Sequence, residues 1–200
     1  MKRLLLLAML LPLLGAAQTK NVVNAFRIFA RPDKNAEFEK ALISHVQKYH
    51  TGSWKWRVYE IQTGPDAGGF HVVEGPLSWD EFDSRGDLGA EHTADWNKNI
   101  APLTTGMGSQ SYATYEADMS TVQPTDYTDK IILQHTYAKP GMVSALSGLV
   151  KKLKKVWEAG NETVAVYTSA ASGESQVITV NRLKAGLKEL DNSYRKPMAE

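Results

Sequence analysis

Residues 22–32 read VVNAFRIFARP, and further along residues 130–140 read KIILQHTYAKP. Each stretch is a strand-like apolar run that closes on a basic residue followed by proline. In Val22–Arg31, Phe26 and Ile28 fall on one face and Phe29 on the other, as a strand requires. Pro32 cannot pair inside a central strand and suits the turn into a helix. The offset that lays Arg31-Pro32 on Lys139-Pro140 also lays Val58-Tyr59 on Val166-Tyr167. It likewise superposes Val72 on Val180, Glu81 on Glu189 and Asp83 on Asp191. A common offset with a common order of elements is the mark of an internal repeat.

The flanking segments fill in that order. Asp33 offers an N-cap oxygen, and Phe38, Leu42, Val46 and Tyr49 follow on one face of a helix. Trp54–Thr63 reads as a strand, 64–69 as a glycine-rich turn, and Phe70–Glu74 as a third strand. Ser78-Trp79-Asp80-Glu81 is a capping box and opens a second helix. Glu91–Ile100 reads as further helix. Met107–Glu116 is a last strand with Tyr112 and Tyr115 on opposite faces. The order is βαββαβ, which predicts a four-stranded antiparallel sheet with both helices on one face.

The second half repeats it with strand Lys130–Tyr137, helix Met142–Glu158, strands Glu162–Thr168 and Ser175–Asn181, and helix Leu183–Tyr194. The chain thus divides into a first ferredoxin-like half over 18–119, a linker over 120–129 and a second half over 130–200. The second half lacks a counterpart for the last strand. Because an unpaired apolar edge is a liability in water, a truncated reading frame is favoured over a three-stranded sheet.

A tandem βαββαβ chain resembles the dimeric α/β-barrel superfamily, with its antibiotic-biosynthesis-monooxygenase-like, haem-degrading and chlorite-dismutase-like members. The resemblance implies an α+β chain whose two ferredoxin-like halves pack sheet against sheet as an intramolecular pair. It covers nearly all of the mature chain and rests on element order and the repeat. No diagnostic catalytic motif accompanies it, so it carries no site residue across, and fold alone supplies no function.

Composition narrows the classes. Met1-Lys2-Arg3, a short leucine-rich run and the small residues Gly15 and Ala17 have the order of a secretory signal peptide over 1–17. The run is too short for the roughly 20 residues that a membrane span needs. A periplasmic or secreted protein is expected, with no integral membrane segment after cleavage. The chain has no cysteine, which closes lipoprotein acylation, disulfides, thiolate-bound zinc and thiol nucleophiles. With 23 basic and 22 acidic residues, nothing points to nucleic acid.

Candidate chemistry rests on histidine and tryptophan. His45 and His50 are five apart on a predicted helix, about 140° round its axis, and are poorly placed to share a metal; no metal ligand set is expected. A terminal His50 would also suit the helix dipole. His71 and Glu74 should point to opposite faces of one strand. His92 and Trp96 share a helix face and could border a pocket or simply pack. His135 lies on the face of Leu133 and Tyr137. In a barrel interior it would be hydrogen-bonded or bound to a ligand such as haem iron. Trp54 and Trp56 project to one side of a strand, as a wall for a flat ligand or as ordinary core. Lys151–Lys155 is the solvated face of a helix whose apolar stripe is Leu146, Leu149, Leu153, Val156 and Trp157. No nucleophile elbow, zinc-protease helix or phosphate loop is present.

The expectation is an exported soluble protein that binds a small apolar or aromatic molecule between sheet and helices. The candidate ligand-binding residues are His71, His92, Trp96, His135, Trp54 and Trp56. No resident cofactor is expected, haem being the one considered. The alternatives are a cofactor-free or haem-linked monooxygenase-like enzyme, and a structural module that assembles as a homo-oligomer through sheet faces or the unpaired edge.

Overall fold

A computed structural model describes residues 19–170, 173–191 and 193–194; the signal peptide expected over 1–17 lies outside the described residues. The elements are β1 (Val22–Ala30), α1 (Asn35–Tyr49), β2 (Trp56–Glu60), β3 (Phe70–Leu77), α2 (Trp79–Ser84), α3 (Ala90–Asp95), β4 (Thr104–Tyr115), β5 (Ile131–Tyr137), α4 (Val143–Ala159), β6 (Val164–Ser169) and β7 (Gln176–Arg182). The strands form one antiparallel sheet in the order β2-β3-β1-β4-β6-β7-β5. The chain is therefore α+β. Among the described residues no helix is long and apolar enough to cross a membrane.

Alternation along the strands sorts side chains between two faces. On the outer face Phe26, Ile28, Val72 and Trp56 meet Phe38 and Leu42 of α1, together with Ile100. Phe38, Ile28 and Ile100 are fully buried, each stabilising by about 1.5–3 kcal/mol. Further along that face Val164, Val166 and Val177 pack on Val150 of α4 and on Met119. The inner face joins both parts of the chain through Val23, Ala113, Tyr115, Ala165, Tyr167 and Ile178. Instead of two separate sheets, a short pairing of Ala113–Tyr115 with Tyr167–Ser169 makes one sheet. It curls far enough for Arg27 of β1 to reach His135 of β5.

The segment over 120–129 is strapped down. Arg182, 2% exposed, donates to the backbone carbonyls of Gln123, Pro124 and Asp126 and to the Tyr167 hydroxyl. The Tyr127 ring lies against Arg57 at 3.3 Å and Arg182 at 4.9 Å. Its hydroxyl donates to Gly75 O at 3.1 Å.

The capping box forms as the sequence predicts. Ser78 Oγ accepts from Glu81 N at 3.2 Å, and Ser78 N donates to Glu81 Oε2 at 2.8 Å. Ser78→Ala is expected to cost about 1 kcal/mol, read as a lower urea midpoint; an unchanged midpoint would refute a structural role for this cap.

Other local expectations change. α1 starts after Lys34 with no side-chain cap, so Asp33 does not cap it. Trp54 lies in the 3-10 turn Gly52–Trp54, outside β2. Among the described residues of 183–194 no continuous helix forms: Gly186, at φ 82°, breaks the run, and the 3-10 turn Leu187–Leu190 follows. On α4 the buried residue is Val150, while Leu149, Leu153 and Val156 are exposed.

Candidate functional site

A cavity of about 290 Å³ lies between the outer sheet face and the α2–α3 segment. Its floor follows from register. Trp56 pairs with Glu74, Glu74 with Asn24, and Asn24 with Tyr112, so one row crosses β2, β3, β1 and β4. Phe26 and Gln110 add the next row. The roof is Phe82 and Arg85 at the end of α2, then His92, Thr93 and Trp96. α3 runs into a wide turn over Trp96–Ile100, in which Ala101 N–H donates to the Trp96 carbonyl five residues back. That turn keeps Trp96 at the cavity and places Ile100 in the core.

Edge-on ring contacts set the walls. Phe26 meets Trp56 at 5.2 Å, Trp56 meets Trp96 at 6.2 Å, and Phe82 meets Tyr112 at 5.3 Å. This is the arrangement ring quadrupoles favour. The polar groups are fewer. Glu74 is fully buried, and its Oε1 accepts from Arg85 Nε at 2.6 Å. Gln110 Nε2 donates to Asn24 Oδ1 at 3.2 Å. Glu74 Oε2 and Trp56 Nε1 are buried with no hydrogen-bond partner. One is an acceptor, the other a donor, and both residues line the cavity.

Next to this cavity sits a cluster of imidazoles. His45 of α1, His50 just beyond its end and His92 of α3 bring ring nitrogens within 4.8 Å of one another. His50 Nε2 is 3.3 Å from His45 Nε2 and 3.3 Å from His92 Nε2. His45 Nδ1 is 2.6 Å from Asp95 Oδ2, and the His50 ring stacks on Trp56 at 3.4 Å. The predicted separation of about 140° assumed a helix continuing through His50. The helix stops at Tyr49, His50 caps it at φ −107° and ψ 62°, and the His45 and His50 ring centroids lie 5.2 Å apart. Burial, reinforced by His45 and His92, pushes His50 down to about 3. Burial and then His45 lower His92, and the bond from His45 lowers Asp95.

The inner face carries a separate cluster. Arg27 Nη1 bonds His71 Nδ1, its Nη2 lies 3.4 Å from His135 Nε2, and its Nε donates to Asp66 Oδ2 at 3.3 Å. His135 Nδ1 meets Gln176 Oε1 at 2.7 Å, so both ring nitrogens of this exposed histidine are engaged. Burial, then the Arg27 charge, pushes His71 down to about 3. The unfolded chain takes up that proton below about 6.5, whereas the folded chain does so only near 3. The stability His71 contributes is therefore intact above pH 6.5 and lost as pH falls towards 3. His71→Gln, which can still accept from Arg27, is expected to flatten the stability profile across that window. A slope equal to the parent's would oppose this account.

Of the residues singled out from sequence, Trp56, His92 and Trp96 meet at the outer cavity. His71 and His135 meet on the opposite face, and Trp54 is not part of the cavity lining. Sequence reasoning set His45, His50 and Glu74 aside and did not name Arg85. The signal for His45 was its place after Phe38 and Leu42 on the buried stripe of α1.

No protein-family model matches this chain, and no curated protein matches it. Similar solved structures exist. One is a protein of Fusobacterium nucleatum subsp. nucleatum described as a "putative monooxygenase", with 12% identity, a TM-score of 0.56, and coverage of 86% of this chain and 82% of that one. Another carries the same description and comes from Lactobacillus acidophilus, with 8% identity, a TM-score of 0.53, and coverage of 87% and 84%. At these identities the likeness is one of fold: this chain shares the mixed α+β architecture of those two proteins.

Proposed function

We propose that this protein binds a small, flat, largely apolar molecule in the cavity between the outer sheet face and the α2–α3 segment. The observation that carries this reading is the pair of orphaned buried atoms, Glu74 Oε2 and Trp56 Nε1, on two residues that line it. Buried polar atoms in folded proteins are otherwise almost always paired. A ligand with one donor and one acceptor on a ring system would satisfy both between aromatic walls. The ordering of β2-β3-β1-β4 and of β6-β7-β5 supports reading the chain as two ferredoxin-like halves of a repeat. The basic start and short apolar run of 1–17 support a protein that works outside the cytoplasm.

The test uses 2-naphthol, a flat probe with one hydroxyl, followed by tryptophan fluorescence. Saturable quenching is expected. Thr93→Trp adds bulk at an exposed lining position and should weaken binding about tenfold, or about 1.4 kcal/mol. Equal binding by the variant, or none by the parent, would overturn the reading. The description of both similar structures favours one second reading, oxidation of the bound molecule. Its readout is an oxygenated product by mass spectrometry.

A further inference from the structure

We propose that His45, His50 and His92 form a binding site for one divalent transition-metal ion of the zinc class, with Asp95 orienting His45 from outside the coordination shell. The cavity reading is not needed for this; the site stands on its own geometry.

Spacing comes first. Two imidazole nitrogens, each about 2.0–2.1 Å from a tetrahedral ion, lie about 3.3–3.4 Å apart. His50 Nε2 is 3.3 Å from each of the other two Nε2 atoms, and all three lie within 4.8 Å of one another. The three rings come from the buried side of α1, the residue after it and α3, so the backbone presents them before any ion arrives.

Hydrogen bonding makes the second argument. Asp95 accepts from His45 Nδ1, which fixes that tautomer and leaves the His45 Nε2 lone pair facing the other two rings. If His50 Nε2 carries a hydrogen it can satisfy His45, but it then has no lone pair for His92. If it carries none, two lone pairs face each other. No assignment of protons gives all three nitrogens a two-centre hydrogen bond. His45 and His50 are each only 1% exposed, and the backbones of Trp54 and Asp87 lie where they favour a hydrogen on the outer nitrogen of His50 and of His92. A cation accepting three lone pairs removes the conflict, and each Nδ1 then carries the hydrogen.

Donor type selects the metal. Three imidazoles with no carboxylate in the inner set suit zinc, cobalt, nickel or copper and not magnesium or calcium. Three protein ligands leave one position open, the pattern of zinc sites that bind water or a substrate group. His92 also lines the cavity, so ion and cavity share one ring.

The experiment titrates untagged, chelator-stripped protein with Co²⁺, then displaces it with Zn²⁺. One equivalent of Co²⁺ should enter with the intense visible bands of a four-coordinate ion, and Zn²⁺ should raise the Tm. His92→Gln, at a half-buried position, should abolish the bands. Asp95→Asn should weaken Zn²⁺ binding about tenfold to hundredfold. Circular dichroism shows whether each variant is folded, and His50→Gln serves if His92→Gln is not. The inference falls if the folded parent takes up no stoichiometric Co²⁺, or if uptake is unchanged in folded His92→Gln or His50→Gln. Loss of 2-naphthol binding with Co²⁺ uptake intact would sink the cavity reading alone.

Discussion

Replacing Arg182 with methionine is expected to destabilise the fold by about 3 kcal/mol or more, because several hydrogen bonds from one charged donor are lost together. Arg182 is 2% exposed, and the oxygens it reaches are neutral: three backbone carbonyls of the 120–129 segment and the Tyr167 hydroxyl. What makes the burial tolerable is the guanidinium fork, whose five N–H donors reach several acceptors at once. Methionine fills much of the same volume and donates nothing. Each abandoned buried acceptor costs about 1–3 kcal/mol, offset partly where water can enter. Tyr127 also loses one of the two cations against its ring. Lysine should rescue little, because a point charge cannot serve carbonyls spread along a loop. Urea unfolding of the parent and both variants reads the result. A loss below about 1 kcal/mol for Arg182→Met would show that the strap contributes little.

The second large effect concerns Glu74. Its carboxylate is fully buried and takes one strong bond, 2.6 Å long, from Arg85. Arg85→Met would leave that charge buried and uncompensated, at a cost of about 3 kcal/mol or more. The double variant Glu74→Gln with Arg85→Met removes the charge together with its partner. It should therefore be more stable than Arg85→Met alone, although it carries one more substitution. If the double variant is the less stable of the two, the carboxylate is not relying on Arg85. The same pair of proteins separates packing from binding, since Glu74 Oε2 is one of the atoms proposed to hold a ligand.

Much of the first part of the fold was legible because local chemistry and tertiary demand agree there. Val22–Ala30 alternates cleanly, and Ser78 and Glu81 cap α2 through contacts only three residues apart. Trp56 and His92 were recognisable as cavity candidates, since strand and helix periodicity set their directions. The histidine cluster was not legible. It joins His45 and His50 at the end of α1 to His92, 42 positions further along, a contact that helix periodicity does not reveal. Burial on α4 was ambiguous for another reason. Leu146, Val150 and Trp157 make one apolar stripe and Leu149, Leu153 and Val156 another, and only the packed sheet chooses the first. Trp54 failed as a wall residue because Gly52, at φ 60°, bends the chain before β2 begins. The strap around Arg182 joins residues more than fifty positions apart, beyond the reach of any local pattern.

The wide turn at Trp96–Ile100 bears on how this segment can change in length. In a regular helix, cavity-facing and core-facing positions are locked to one angular frame. Here the extra residue in the turn separates Trp96 from Ile100, so each answers to a different neighbour. Deleting one residue between them would restore ordinary i to i−4 bonding. It would also shift Ile100 along and around the axis, away from the core position that the wide turn gives it. Substitutions before the turn, by contrast, can reshape the cavity roof without disturbing that anchor. The segment should therefore be intolerant of deletion yet permissive of sequence drift on its cavity side, so that the cavity can change shape while the fold stays constant.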